Sequence, residues 1–148
     1  LINKKWNNQY FHNPEASEFH ELFRTFILTE PRLRNLRWYQ EVNVKDLIPD
    51  YEYTSHHYDW YLYEIDLIVE LHGQQHYQVT NFGSISADDA LVNYRNMLYR
   101  DNLKRTTALE KGFLYAVIPY KDRNRISHDL IFQLAEEPFD TRTNNTRP

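Results

Sequence analysis

Residues 58–77 read YDWYLYEIDLIVELHGQQHY, and here carboxylates and imidazoles sit inside strongly β-forming apolar sequence. The residues that could do chemistry are Asp59, Glu70, His72 and His76, a set suited to sharing a cation and moving a proton. Residues 59–63, rich in aromatics, and 66–71, apolar apart from Glu70, predict two strands joined by a tight turn at Glu64-Ile65. A symmetric turn sets Tyr63 opposite Asp66. Counting outward, Asp59 faces Glu70 with Cβ atoms ~5 Å apart. Alternation puts His72 on the face of Glu70, and Leu67, Val69 and Leu71 on the other. Gly73 then permits a bend before Gln74, Gln75 and His76. Taken singly, Asp59 reads as a solvated strand-end residue and Glu70 as a paired structural acid. Taken together, two carboxylates in a half-buried strand repel unless they share a cation or a proton, which favours a site.

The flanking sequence must position this cluster. Residues 1–12 are a polar arm carrying Trp6 and Tyr10, and Asn13-Pro14 is a helix start. That helix runs to about Leu28 with Phe19, Leu22, Phe23 and Phe26 on its core stripe; Glu15 falls on the stripe, Glu18 at its flank and Glu21 opposite. Glu15 in the first turn is equally explained by the helix dipole. Residues 37–44 predict a first strand and 45–55 a loop. His56 and His57, adjacent on a strand, face opposite ways and do not easily share one ion.

After a loop at 78–85, Ser86 caps a long helix running to about Lys111, with Asp88 and Asp89 in its first turn. Its inward stripe is expected to be Leu91, Tyr94, Leu98, Asp101, Arg105 and Ala108. An acid and a base four residues apart on that stripe read either as a buried pair or as part of the adjacent site. Gly112 ends the helix, and the apolar run 113–118 predicts a buried strand. A strand, a crossover helix and a returning strand form a βαβ unit, so 113–118 should run parallel to 66–71 in a mixed sheet. Residues 126–134 should form a helix covering one sheet face. From Glu136 the chain is polar and aperiodic. The expectation is an α/β fold, a three-layer α/β/α sandwich around a mixed central sheet, with one domain at 13–137, the arm at 1–12 and a polar tail at 138–148.

At 148 residues with 41% hydrophobic content, one domain can bury a core without staples. The absence of cysteine removes disulfides and thiolate metal sites, which fits an intracellular protein. No apolar run approaches the ~20 residues of a membrane span, and no signal-peptide pattern opens the chain. The net charge of −4 disfavours strong phosphate binding. The cations are clustered, however: Arg24, Arg32, Arg34 and Arg37 early, and Arg95, Arg100, Lys104, Arg105 and Lys111 on the long helix. A solvated helix face and a phosphate track explain them equally.

Asp59, Glu70 eleven residues later and the run Leu71-His72-Gly73-Gln74-Gln75-His76 resemble the core of the very-short-patch-repair (Vsr-like) branch of the PD-(D/E)xK nucleases. Arg100-Asp101, Arg105-Thr106, Leu109 and Gly112-Phe113 before a strand are similar to the same branch. The likeness spans roughly residues 13–120, and is greatest to the phage homing endonucleases of the EDxHD family. The resemblance implies a metal-dependent DNA endonuclease, the catalytic domain of a homing enzyme acting on double-stranded DNA in the cytoplasm or nucleoid of a bacterial host. Asp59, Glu70 and the Leu71 carbonyl would offer oxygen ligands to Mg2+ or Mn2+, and His76 or His72 would take a proton from water. Asp101 belongs to the motif, and a first-helix glutamate is called for, Glu15 before Glu18. Arg100, Lys104 and Arg105 would contact the phosphates. One departure stands out: His72 occupies the place of the usual motif lysine. A mismatch-repair nicking endonuclease and a non-catalytic DNA-binding or interaction module on the same fold are the alternatives. Leu1 rather than Met opens the chain, so a longer protein with a separate DNA-binding region is expected. Neither the oligomeric state, a homodimer included, nor the type of cut is fixed by the sequence.

Overall fold

The computed structural model describes residues 17–76 and 86–139. The expected arm at 1–12, Asn13-Pro14, Glu15 and the loop at 78–85 lie outside them; the helix expected to run from Asn13-Pro14 instead begins at Glu18, because Ser17 is extended (φ −64°, ψ 163°) and occupies its N-cap. So does the tail beyond Phe139.

The first described helix, α1 (Glu18–Thr29), follows Ser17 and buries Phe19, Phe23 and Ile27, which recur at the spacing of one helical face. Strand β1 (Trp38–Asn43) comes next. The expected loop after it opens as a short helix, α2 (Val44–Leu47), because the Asn43 side chain accepts from Lys45 N–H and starts a turn that buries Val44 and Leu47. Strands β2 (His57–Leu62) and β3 (Leu67–His72) form the central hairpin, and a 3₁₀ turn, Gln74–His76, follows. Asp66, the last residue of the hairpin turn, takes a left-handed conformation (φ 47°) that a short acidic side chain tolerates.

Helix α3 (Ala87–Glu110) is capped by the Ser86 hydroxyl, which accepts from Asp89 N–H at 3.1 Å. Gly112 (φ 92°) stops it, letting Phe113 N–H bond back to the Ala108 carbonyl at 3.1 Å. Strand β4 (Leu114–Pro119), a second 3₁₀ turn (Tyr120–Asp122) and helix α4 (His128–Leu134) complete the described order.

The sheet runs β1-β2-β3-β4. The first three strands are antiparallel, and β3 pairs with β4 in parallel. The fold is therefore mixed α/β, with the mixed sheet and parallel return expected of a βαβ crossover. Trp60 pairs with Val69, Tyr61 with Ile68 and Leu62 with Leu67, the expected hairpin register, which carries Asp59 to Glu70. Side chains of the central strand divide between two cores. Leu67, Val69 and Leu71 meet α1 and α4 through Phe19, Phe23, Ile27 and Ile131, while Ile68 meets α2 and α3 through Leu47, Ala108 and Leu109. Helices thus cover both faces of the sheet.

Two expectations are corrected. The inward stripe of α3 is not Leu91–Tyr94–Leu98–Asp101–Arg105: Leu91 and Leu98 are exposed, and the helix buries Ala90, Lys104, Ala108 and Leu109 instead. Among the described residues, burial in α3 concentrates in its C-terminal half, with Ala90 alone buried in the first half, so Leu91 and Leu98 mark no buried face. The segment after Glu136 is not all free tail. Glu136 N–H bonds to the Tyr115 carbonyl at 2.8 Å along β4, and Phe139 packs onto the core beneath α3.

Candidate active site

The cavity that gathers the acids and imidazoles opens at the C-terminal end of β3, where antiparallel β2 begins. It has a volume of about 320 Å³, and its walls include His57, Asp59, Glu70, His76, Asp101 and Lys104. A larger cavity of about 760 Å³, with Val117, Pro119, Tyr120 and Leu134 in its wall, has no carboxylate or imidazole among the described residues of its lining. Asp59, Glu70, His76 and Asp101 all line the smaller one.

The two carboxylates interlock across the hairpin. Asp59 Oδ2 accepts from Leu71 N–H at 2.8 Å, and Glu70 Oε1 accepts from Asp59 N–H at 3.2 Å. Each acid thereby fixes the backbone beside the other, as the alternation of β-strands requires of directly opposed residues. Glu70 is only 2% exposed, and its Oε2 accepts from Lys104 Nζ at 3.0 Å. Lys104, itself 6% exposed, also donates to the His57 carbonyl at 2.9 Å, while its own carbonyl accepts from the Tyr58 hydroxyl. Burial pushes the Glu70 carboxyl upward, the Asp59 charge adds to the push, and the Lys104 ammonium opposes it. The cation that the paired acids need is thus present as a lysine. It arrives from α3, whereas the corresponding strand position holds His72.

Beside the acids, His76 Nδ1 lies 2.7 Å from Asp101 Oδ2, and His72 Nε2 lies 4.0 Å from the same oxygen. The two imidazoles stack at 3.9 Å between centroids and 13° between planes. Burial lowers the His72 imidazole to about 4, helped by the neighbouring His76 and Lys104 charges and opposed by Asp101. Burial alone would raise the Asp101 carboxyl. The His76 hydrogen bond and the nearby positive groups outweigh it and hold Asp101 below its ordinary value. An ionised carboxylate only accepts, so His76 donates from Nδ1; in the neutral tautomer with that hydrogen, Nε2 is the atom that carries the lone pair. Of the two readings of the Asp101–Arg105 spacing, the buried pair is not formed: Asp101 meets His76, and Arg105 meets Glu136.

Other sequence candidates are placed as follows. Glu18 is exposed in the first turn of α1 and is absent from the cavity lining. The α1 residue that reaches the cavity is His20, which accepts from Trp60 Nε1 at 3.1 Å. It lies between Phe19 and Phe23 on the same stripe, where the resemblance calls for a glutamate. Arg100 lines the cavity, as do His56 and His57; His56 Nδ1 is 2.6 Å from the Tyr51 hydroxyl. Arg105 is turned away to Glu136, with both contacts at 3.3 Å. The early basic cluster is partly spent in surface pairs, Arg32 with Glu30 and Arg37 with Glu64, both at 2.7 Å.

Two donor sets could hold a dication. Asp59, Glu70 and the Leu71 carbonyl supply oxygen only, the chemistry a hard cation prefers, and the carboxylate oxygens keep lone pairs beyond those used by Leu71, Asp59 and Lys104. Magnesium fits that set once Lys104 yields its hold on Glu70. His72, His76 and Asp101 supply two nitrogens and one oxygen, all within 4.8 Å of one another.

No protein-family model matches the chain, and no curated protein or solved structure matches it. No helix among the described residues is long and apolar enough to cross a membrane.

Proposed function

We propose that the chain is a metal-dependent endonuclease that hydrolyses phosphodiester bonds in double-stranded DNA, on a fold of the Vsr-like PD-(D/E)xK type. The observation that carries this reading is the meeting of the Asp59–Glu70 pair with a histidine–aspartate pair, His76 and Asp101, in one solvent-reached cavity. A general base needs a partner that fixes its tautomer, and Asp101 does this for His76. His76 Nε2 takes the proton of the attacking water. His72, stacked on the His76 ring, limits its rotation. Arg100 presents a cation to the phosphate, and Lys104, on the same helix, would present a second once the metal frees it from Glu70. Asp59, Glu70 and the Leu71 carbonyl would hold Mg2+ or Mn2+, which would polarise the scissile phosphate and acidify its bound water. We assign the chain to a homing endonuclease rather than a mismatch-repair enzyme on the resemblance of residues 70–76.

A specific observation favours a second reading. Lys104 already neutralises buried Glu70, as it would in a non-catalytic module that keeps only the fold. Incubation of supercoiled plasmid with the chain, with and without Mg2+, separates the two. Metal-dependent nicking or linearisation supports the enzyme; intact plasmid under every metal condition supports the module. A requirement for a mismatch would reassign the enzyme to repair.

A further inference from the structure

The oxygen pair is not the place in this cavity best suited to a borderline metal. We propose that His72, His76 and Asp101 form a second, separate site for a zinc-class dication. The proposal stands on the cluster alone and holds whether or not the chain cleaves DNA.

Three ligand atoms of the right kinds are already gathered. His72 Nε2 and His76 Nδ1 both approach Asp101 Oδ2, at 4.0 and 2.7 Å. Tetrahedral zinc, with bonds of about 2.0–2.2 Å, spaces its ligand atoms about 3.4 Å apart, so the two contacts to Asp101 need an adjustment of under about an ångström, and all three ligand atoms already lie within 4.8 Å of one another. Imidazole nitrogens select zinc, cobalt or nickel over magnesium, the reverse of the preference at Asp59 and Glu70. The local charge also permits it. The nearest ammonium, Lys104, is held by Glu70, and the only ion-pair partners of Asp101 among the described residues are the two histidines. His76 and Asp101 line the open cavity, which supplies an entry path.

Two changes accompany binding. The parallel rings must open from their 13° stack to aim both lone pairs at one ion. Coordination uses the Nδ1 lone pair, and a neutral imidazole bound through Nδ1 carries its hydrogen on Nε2. Nε2 then has no lone pair to offer, and the occupied site silences His76 as a base.

The test uses Zn2+ alone on the metal-free full chain, by calorimetry and by NMR of the imidazole nitrogens, with Co2+ visible absorption as a second probe. One Zn2+ per chain is expected, with the His72 and His76 signals shifted and those of His20 and His57 unmoved. Excess Mg2+ should not displace it. His72→Asn and Asp101→Asn should each weaken binding at least about tenfold, the minimum scale for disturbing a ligand shell, while Asp59→Asn and His57→Asn leave it unchanged. Absence of zinc binding to the wild-type chain would overturn the proposal. So would shifts confined to His20, His56 or His57, or affinity that survives in folded His72→Asn and Asp101→Asn but is lost in Asp59→Asn. The wild-type spectra decide the matter even if a variant does not fold.

Discussion

Lys104 Nζ and Glu70 Oε2 meet at 3.0 Å inside the protein, joining α3 to the central strand at the floor of the cavity. Removing one member of such a pair leaves an uncompensated buried charge, whereas removing both does not. Lys104→Met should therefore cost about 3–5 kcal/mol of stability. Adding Glu70→Gln should recover much of that loss. Urea denaturation of the two single variants and the double variant measures the coupling; additive losses would show that the pair contributes nothing as a unit.

Asp59 tests the oxygen site. Asp59→Asn keeps an acceptor for Leu71 N–H but loses the charge, so the hairpin should hold while plasmid cleavage falls about 10²-fold or more, the scale of losing a group that stabilises developing charge. Wild-type cleavage in a folded variant would remove Asp59 from the site.

His76 and Asp101 should fail together. His76→Ala is expected to slow cleavage about 10²-fold or more. Asp101→Asn should give a smaller loss and change the acid limb of the pH profile, since an amide can fix the wrong tautomer. A His72→Ala defect larger than that of His76→Ala would transfer the base role to His72.

His72 makes a prediction about stability against pH. Its folded value, about 4, lies below the 6.5 of a free imidazole, so the folded protein binds fewer protons than the unfolded chain between those two values. The stability is fully present above pH 6.5 and is lost as pH falls toward 4, by at most about 3 kcal/mol. Denaturation midpoints at pH 7 and pH 4.5 should differ less in His72→Asn than in the wild type. An unchanged difference would mean that His72 carries no share of the acid sensitivity.

Arg100 and Arg105, once equivalent candidates for phosphate, should now behave differently. Arg100 faces the cavity and Arg105 is engaged with Glu136. In DNA binding followed against salt, Arg100→Ala should lower the slope by about one unit, and Arg105→Ala should leave it nearly unchanged. Weak binding with little sequence preference is expected throughout, because the chain is net acidic.

What the sequence made legible was the hairpin and what followed from its alternation. The two-residue period sets Asp59 opposite Glu70 and His72 on the face of α3, and one wrong residue in the turn would have reversed every side chain. The helix stop at Gly112 and the parallel return of β4 were equally readable. The phase of α3 was not. Leu91, Val92, Leu98 and Tyr99 are apolar yet exposed, so they suggest a stripe that packing does not use. Lys104, expected as a phosphate contact, is instead buried against Glu70, and a lysine buried by a specific acid leaves no mark in a hydrophobic pattern. His20 reaches the cavity from the first helix, where the resemblance calls for a glutamate. Glu136 looked like tail because its contribution is a backbone hydrogen bond, to which its side chain gives no clue.

That last contact has a bearing on how the protein behaves among its own copies. Strand β4 closes one side of the sheet, and a bare row of strand amides and carbonyls recruits the strands of neighbouring molecules. By bonding to Tyr115 and seating Phe139 behind it, the segment after α4 acts as a guard rail along that border. A chain ended at Ala135 would keep every candidate site residue and yet present an adhesive sheet margin, so solubility and chemistry are separable properties written in different stretches of this sequence.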